Sequence, residues 1–124
     1  MSATRLGVSD VHIDTFKTRS EHRGRSITVT LQGNADIDAQ EHLKALLDAL
    51  HVEARRLGVA DTIFDLQELY FMNSSCLSLL LRHVNVVMQA PDYQLKFRVN
   101  PNLRWQKRSL QALHSYAPNL VTIE

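Results

Sequence analysis

Apolar and polar positions change their spacing several times along this chain, and each change marks an element. Val11 and Ile13 open an alternation of period two, residues 17–25 are polar with Gly24 near their end, and Ile27, Val29 and Leu31 alternate again. That pattern predicts two strands joined by a polar turn, each burying one face. Gly33 is expected to close the second strand. Leu43, Leu46, Leu47, Leu50, Ala54 and Leu57 then recur at spacings of three and four, as one face of an α-helix requires. Asp38 and Glu41 have the spacing of a capping box at its start, and Gly58 is expected to end it.

Residues 62–66 read as a short central strand and residues 69–72 as a loop. A helix is predicted from Asn73 or Ser74, carrying Leu77, Leu80, Leu81, Val84, Val87 and Met88 and stopping at Pro91. Leu95, Phe97 and Val99 alternate in a further strand. Asn100-Pro101 reads as a cap followed by proline at the first helical position. The helix it opens has Leu103, Leu110, Leu113 and Ala117 along one stripe, Trp105 and Tyr116 at its flanks, and Pro118 as its end. Val121 and Ile123 add a short terminal strand. Strands alternating with amphipathic helices predict a single α/β domain over residues 1–124, a small mixed sheet of four to five strands flanked by amphipathic helices.

Composition narrows the function more than the fold. The 124 residues, 44% hydrophobic and 22% charged, suffice for one packed core and leave no room for a second domain. The longest nearly continuous apolar stretch, residues 77–88, is broken by Arg82, His83 and Asn85, so no direct membrane insertion is expected. The first residues lack the apolar core and cleavage site of a secretory leader, which makes a cytoplasmic location the expectation. A formal charge of +1 offers no bulk attraction for nucleic acid. Cations do gather late in the chain, where Lys96, Arg98, Arg104, Lys107 and Arg108 face only Glu124; this is either a solvated helix face or a patch for a partner.

Candidate chemistry is sparse. The histidines (His12, His22, His42, His51, His83 and His114) form no His-Glu-x-x-His pair, and the four glycines stand too far apart to cradle a phosphate. No metal, cofactor or catalytic residue is predicted, and the chain is expected not to be an enzyme. Asp36, Asp61 and Asp65 are read as caps or partner contacts. Cys76, alone and within an apolar run, is expected to pack.

The stretch with a motif in it is residues 62–77. Asp65-Leu66 at a strand end, then Ser74-Ser75 and Leu77 at a helix start, resemble the signature of STAS domains, the family of the bacterial anti-sigma-factor antagonists, in which Asp-Leu leads to Asp-Ser-Ser-Gly-Leu. Gly33 and Asp36 match the Gly-x-x-Asp that the family carries after its preceding strand. Asn73 replaces the usual aspartate and Cys76 the usual glycine. The resemblance implies a STAS-like fold and a non-enzymatic regulator that works by partner switching. Its first serine, here Ser74, would be phosphorylated by a partner that is both protein kinase and anti-sigma factor, with Ser75 the alternative acceptor and a PP2C-type phosphatase a further partner. Asp36, Tyr70, Met72, Asn73 and Arg82 are the expected partner-binding residues. The alternative the family also offers is an unphosphorylated adaptor subunit of a transport or other protein assembly.

A hydroxyl at a helix start suits a switch on physical grounds alone. The free amides and the positive end of the dipole accommodate a phosphate of charge about −1.5 to −2 without unfolding the element.

Overall fold

The computed structural model describes residues 6–124. The reading of the chain's start as lacking a secretory leader, and the first part of the domain span, fall on residues 1–5, outside the described residues.

Five strands and three helices alternate in the order β1 (Phe16–Arg23), β2 (Ser26–Ala35), α1 (Gln40–Leu57), β3 (Asp61–Met72), α2 (Ser74–Gln89), β4 (Gln94–Arg98), α3 (Arg104–Tyr116) and β5 (Val121–Ile123). The sheet keeps chain order, β1-β2-β3-β4-β5, with β1 antiparallel to β2 and the rest parallel. Every parallel crossover steps in one direction, and crossovers are right-handed, so all three helices pack on the same face. Burial agrees. Ile27, Val29, Leu31, Phe64, Leu66, Leu95 and Phe97 are sealed beneath the helices, and Phe64 stacks on Phe97 with ring centroids 5.0 Å apart. Their neighbours Thr28, Thr30, Asp65, Lys96 and Arg98 point the other way and keep solvent contact. The mixed five-stranded α/β architecture is the one the sequence predicts.

Six local expectations are corrected. The polar residues expected to be a turn are β1 itself. It is an edge strand, so it buries only Phe16 and Thr18 on one side and keeps Lys17, Arg19, Glu21 and Arg23 in solvent, as edges that resist pairing with other chains do. Val11 to Ile13, expected to be the first strand, is a strap along that edge. Thr18 N donates to the Val11 carbonyl at 2.9 Å, and Val11 N to Thr18 Oγ1 at 2.9 Å. Gly33 does not close β2. Its φ of +93° absorbs a register shift, while Asn34 N donates to the Thr15 carbonyl at 2.7 Å, and pairing continues to Ala35.

The Asp38–Glu41 box does not form either. Asp36 caps a single 3-10 turn, Ile37–Ala39, by accepting from Asp38 N at 3.1 Å, and α1 begins after it with no side-chain cap. Asn100-Pro101 starts a turn rather than a helix, because the Asn100 side chain accepts from Asn102 N at 2.9 Å, and α3 opens at Arg104. The sixth correction is the loop at 69–72, which is strand. Gly58 ends α1 in the left-handed conformation as expected. Each helix follows the C-terminal end of a parallel strand, so the starts of α1, α2 and α3 stand in a row at one end of the molecule.

Candidate functional site

The site begins with a strand that outruns its neighbour. β4 pairs with β3 only from Asp61 to Asp65, whereas β3 stays paired with β2 as far as Met72 opposite Ala35. Carbonyls on the overhang would be left bare, and a bare buried carbonyl costs about 1–3 kcal/mol. Gln106 of α3, fully buried, supplies the missing donors. Its Nε2 donates to the Leu66 and Leu69 carbonyls, the latter at 2.9 Å, while its Oε1 accepts from Asn100 N at 2.7 Å. Asn100 Nδ2 adds a bond to the Gln67 carbonyl at 3.0 Å. Nothing in the sequence singled out Gln106, since glutamine in an amphipathic helix reads as surface.

The braced overhang delivers the chain to α2. Asn73 N donates to the Ala35 carbonyl at 2.9 Å, which ties the helix start to the end of β2, and Asn73 Oδ1 accepts from Cys76 N at 2.8 Å. Asparagine thus caps α2 as aspartate would. Cys76 faces inward, completely buried, with Sγ 3.6 Å from the Asp36 carbonyl oxygen. Burial first, and the Asp36 charge second, push its thiol pKa up, which keeps it protonated and unreactive. Cys76 and Leu80 anchor the inner side, and Ser74 and Ser75 are left exposed on the first turn. Neither serine hydroxyl is hydrogen-bonded to the protein among the described residues. With Cys76 N taken by Asn73, the amides of Ser74 and Ser75 remain free at the positive end of the helix.

Around the serines lies an apolar rim. Ile37 is 76% exposed, Tyr70 56% and Phe71 49%, and Met72 is half-buried beside them. Phe71 falls in the stretch from Leu69 to Asn73 expected to meet a partner, whereas Ile37 was not singled out from sequence. In β3, Leu69 turns into the core while Tyr70 and Phe71 stay exposed. Asp36 stands next to this rim, held by its bond to Asp38 N and by Thr15 Oγ1 at 3.4 Å. The structure therefore gathers Asp36, Tyr70, Met72, Asn73, Ser74 and Ser75 at one end. Arg82 is not with them. It lies two turns along α2, about 12 Å from Ser74 at helical rise, and faces Asp48 of α1 at 3.7 Å.

Asp65 is separate too. It sits on the open face of the sheet and accepts from Gln67 N at 3.1 Å. The late run of cations is divided: Lys96 pairs with Asp61 at 3.2 Å on that open face, and Arg104, Lys107 and Arg108 stand exposed on α3.

A second polar cluster lies between α1 and α2. His51 Nδ1 and the Tyr93 hydroxyl share a hydrogen bond of 2.7 Å, and His83 packs edge-on to Phe64 with its Nε2 buried and unpartnered. Burial, then the His51 and Arg82 charges, lower the His83 pKa to about 4. The hollow beside it holds about 80 Å³, room for a few waters. No group of three or more metal-ligating side chains is found among the described residues, and no helix there is long and apolar enough to cross a membrane.

No protein-family model matches the chain, and no curated protein does. Solved structures do. An anti-sigma factor antagonist from Mycobacterium paratuberculosis superimposes with a TM-score of 0.69 at 16% identity, over 88% of this chain and 86% of its own. The anti-sigma factor antagonist SpoIIAA in its unphosphorylated form gives 0.59 at 22% identity, over 86% and 87%. The Bacillus cell fate determinant SpoIIAA in its phosphorylated form gives 0.57 at 18% identity, over 86% and 90%. The fold is thus the STAS-like α/β fold of the anti-sigma factor antagonists. Within that class the two SpoIIAA structures match over nearly the whole of both chains.

Proposed function

We propose that this chain is a non-enzymatic regulator that binds a serine/threonine protein kinase of the anti-sigma-factor type and is switched by phosphorylation of Ser74. The observation that carries the reading is the free, exposed hydroxyl of Ser74 on a helix start capped by Asn73, at the end of the molecule where Ile37, Tyr70 and Phe71 are also exposed. That fold neighbours include SpoIIAA in both phosphorylated and unphosphorylated forms supports it.

In the unmodified state the apolar rim and the neutral hydroxyl are buried together against the partner. Phosphate at Ser74 puts a charge of about −2 into that contact, and the cost of desolvating it opposes binding. The scaffold has no need to move, because the phosphate meets the free amides of the first turn. The kinase supplies the chemistry; a PP2C-type phosphatase, acting in the cytoplasm with it, restores the hydroxyl.

The test is incubation of the purified chain with ATP and a serine/threonine protein kinase of the anti-sigma-factor type from the same genome, followed by mapping of the phosphate by mass spectrometry. Phosphate on Ser74, absent in Ser74→Ala, is the expected result. Phosphate on Ser75 alone moves the acceptor by one residue. Tight binding with neither serine modified would instead favour the unphosphorylated adaptor.

A further inference from the structure

We infer that the surface meeting the protein partner extends beyond the Ser74 rim onto the first two turns of α3, where Arg104, Lys107 and Arg108 dock an acidic segment of that partner. The inference rests on the switch reading for the kind of partner and adds the chemistry of its contact.

Sheet order places the three helix starts side by side, and they differ in charge. The start of α1 is acidic, with Asp36, Asp38 and Glu41; that of α2 is neutral; that of α3 carries Arg104, Lys107 and Arg108. The acids need no partner, since carboxylates at a helix start are stabilised by its dipole and Asp36 is also a cap. The cations are placed against the same rule. No acidic residue occupies the first turn of α3, and no side chain caps it. All three cations are exposed, and none is in an ion pair among the described residues. Their spacing of three and four puts them on one face. Gln111 and Ser115, which continue that exposed face, are uncharged, so the charge is confined to the end that carries Ser74.

The cations and the rim belong to one continuous end. Gln106, between Arg104 and Lys107 in the chain, is bonded to the carbonyls of Leu66 and Leu69, and Tyr70 and Phe71 follow directly. A polyanion such as nucleic acid laid across this end would leave the cations and run into exposed Glu68, Asp38 and Glu41. A protein that offers an apolar contact to Tyr70 and Phe71 and a short acidic segment to α3 meets no such repulsion.

The test uses the kinase that modifies Ser74, titrated by calorimetry against wild type, an R104Q/K107Q/R108Q variant and an R104E/K107E/R108E variant, with thermal unfolding as the control for folding. The Glu variant should bind about tenfold or more weakly at about 50 mM salt, with the gap narrowing at about 300 mM, and the Gln variant should fall between. The Gln variant alone decides the matter if the Glu variant does not fold. Equal affinities for all three chains, with Ser74 still phosphorylated, would overturn this inference and leave the switch standing. A labelled oligothymidylate bound more tightly than the kinase would overturn it as well. A wild-type chain that neither binds the kinase nor takes phosphate removes the switch reading, and this inference with it.

Discussion

Asn73 decides how the Ser74 hydroxyl is presented. Its side chain closes the only capped amide of the first turn of α2, and its own N–H joins that turn to β2. Asn73→Ala should therefore cost about 1 kcal/mol in urea denaturation, whereas Asn73→Asp should cost little or nothing, because it restores a cap that the dipole favours. The motif was readable in sequence because a cap, two serines and a leucine sit at fixed spacing. Gln106 was not, since its partners are carbonyls 37 and 40 residues away that only the finished sheet brings near. Gln106→Ala leaves those carbonyls bare, and a loss of about 1–3 kcal/mol is expected from the same measurement.

His83 gives a prediction of the opposite kind, one that depends on pH. Its folded pKa of about 4 lies below the usual 6.5, so above pH 6.5 it is neutral whether the chain is folded or not. Below that the unfolded chain takes up a proton that the fold resists. Stability then falls as pH drops from about 6.5 towards 4, by about 2 kcal/mol between pH 7 and 5. His83→Met should remove that part of the slope in denaturation curves at the two pH values.

At the scale of elements, the parts legible in sequence were those with a long, regular period. The helical stripe of α1 and the β4 alternation appear where the spacing put them; α2 has the predicted span, but Leu81 and Met88 of its expected stripe are exposed while Cys76 and His83 are buried. β1 was missed because an edge strand shows a period-two signal on one face only, and Phe16 and Thr18 are too few to outweigh Lys17, Arg19, Glu21 and Arg23. The end of β3 was missed because its last residues are paired on one side and braced by side chains on the other.

Gly33 was expected to end β2, and the structure gives it a different task. At φ +93° it lets the Thr15–Phe16 backbone lie close against β2, and a Cβ there would collide with the Thr15 carbonyl oxygen. Gly33→Ala should destabilise the protein by about 2 kcal/mol or more, through both the backbone conformation and the displaced Thr15–Phe16 backbone. Equilibrium unfolding of the variant measures it.

For the molecule as a whole, one layer of helices on one sheet presents three helix starts in a row, and Ser74, the proposed acceptor, stands at the middle one. The bonds that fix this end do not involve the Ser74 hydroxyl, so a phosphate on it is expected to change the surface without changing the scaffold. The most direct measurement is the affinity of the kinase for the chain with Ser74 unmodified and with Ser74 phosphorylated, alongside the thermal unfolding of both forms. The account predicts binding weakened about tenfold or more by the phosphate, with the unfolding temperature little changed. Equal affinity for the two forms, or a phosphorylated chain that loses its fold, would contradict it.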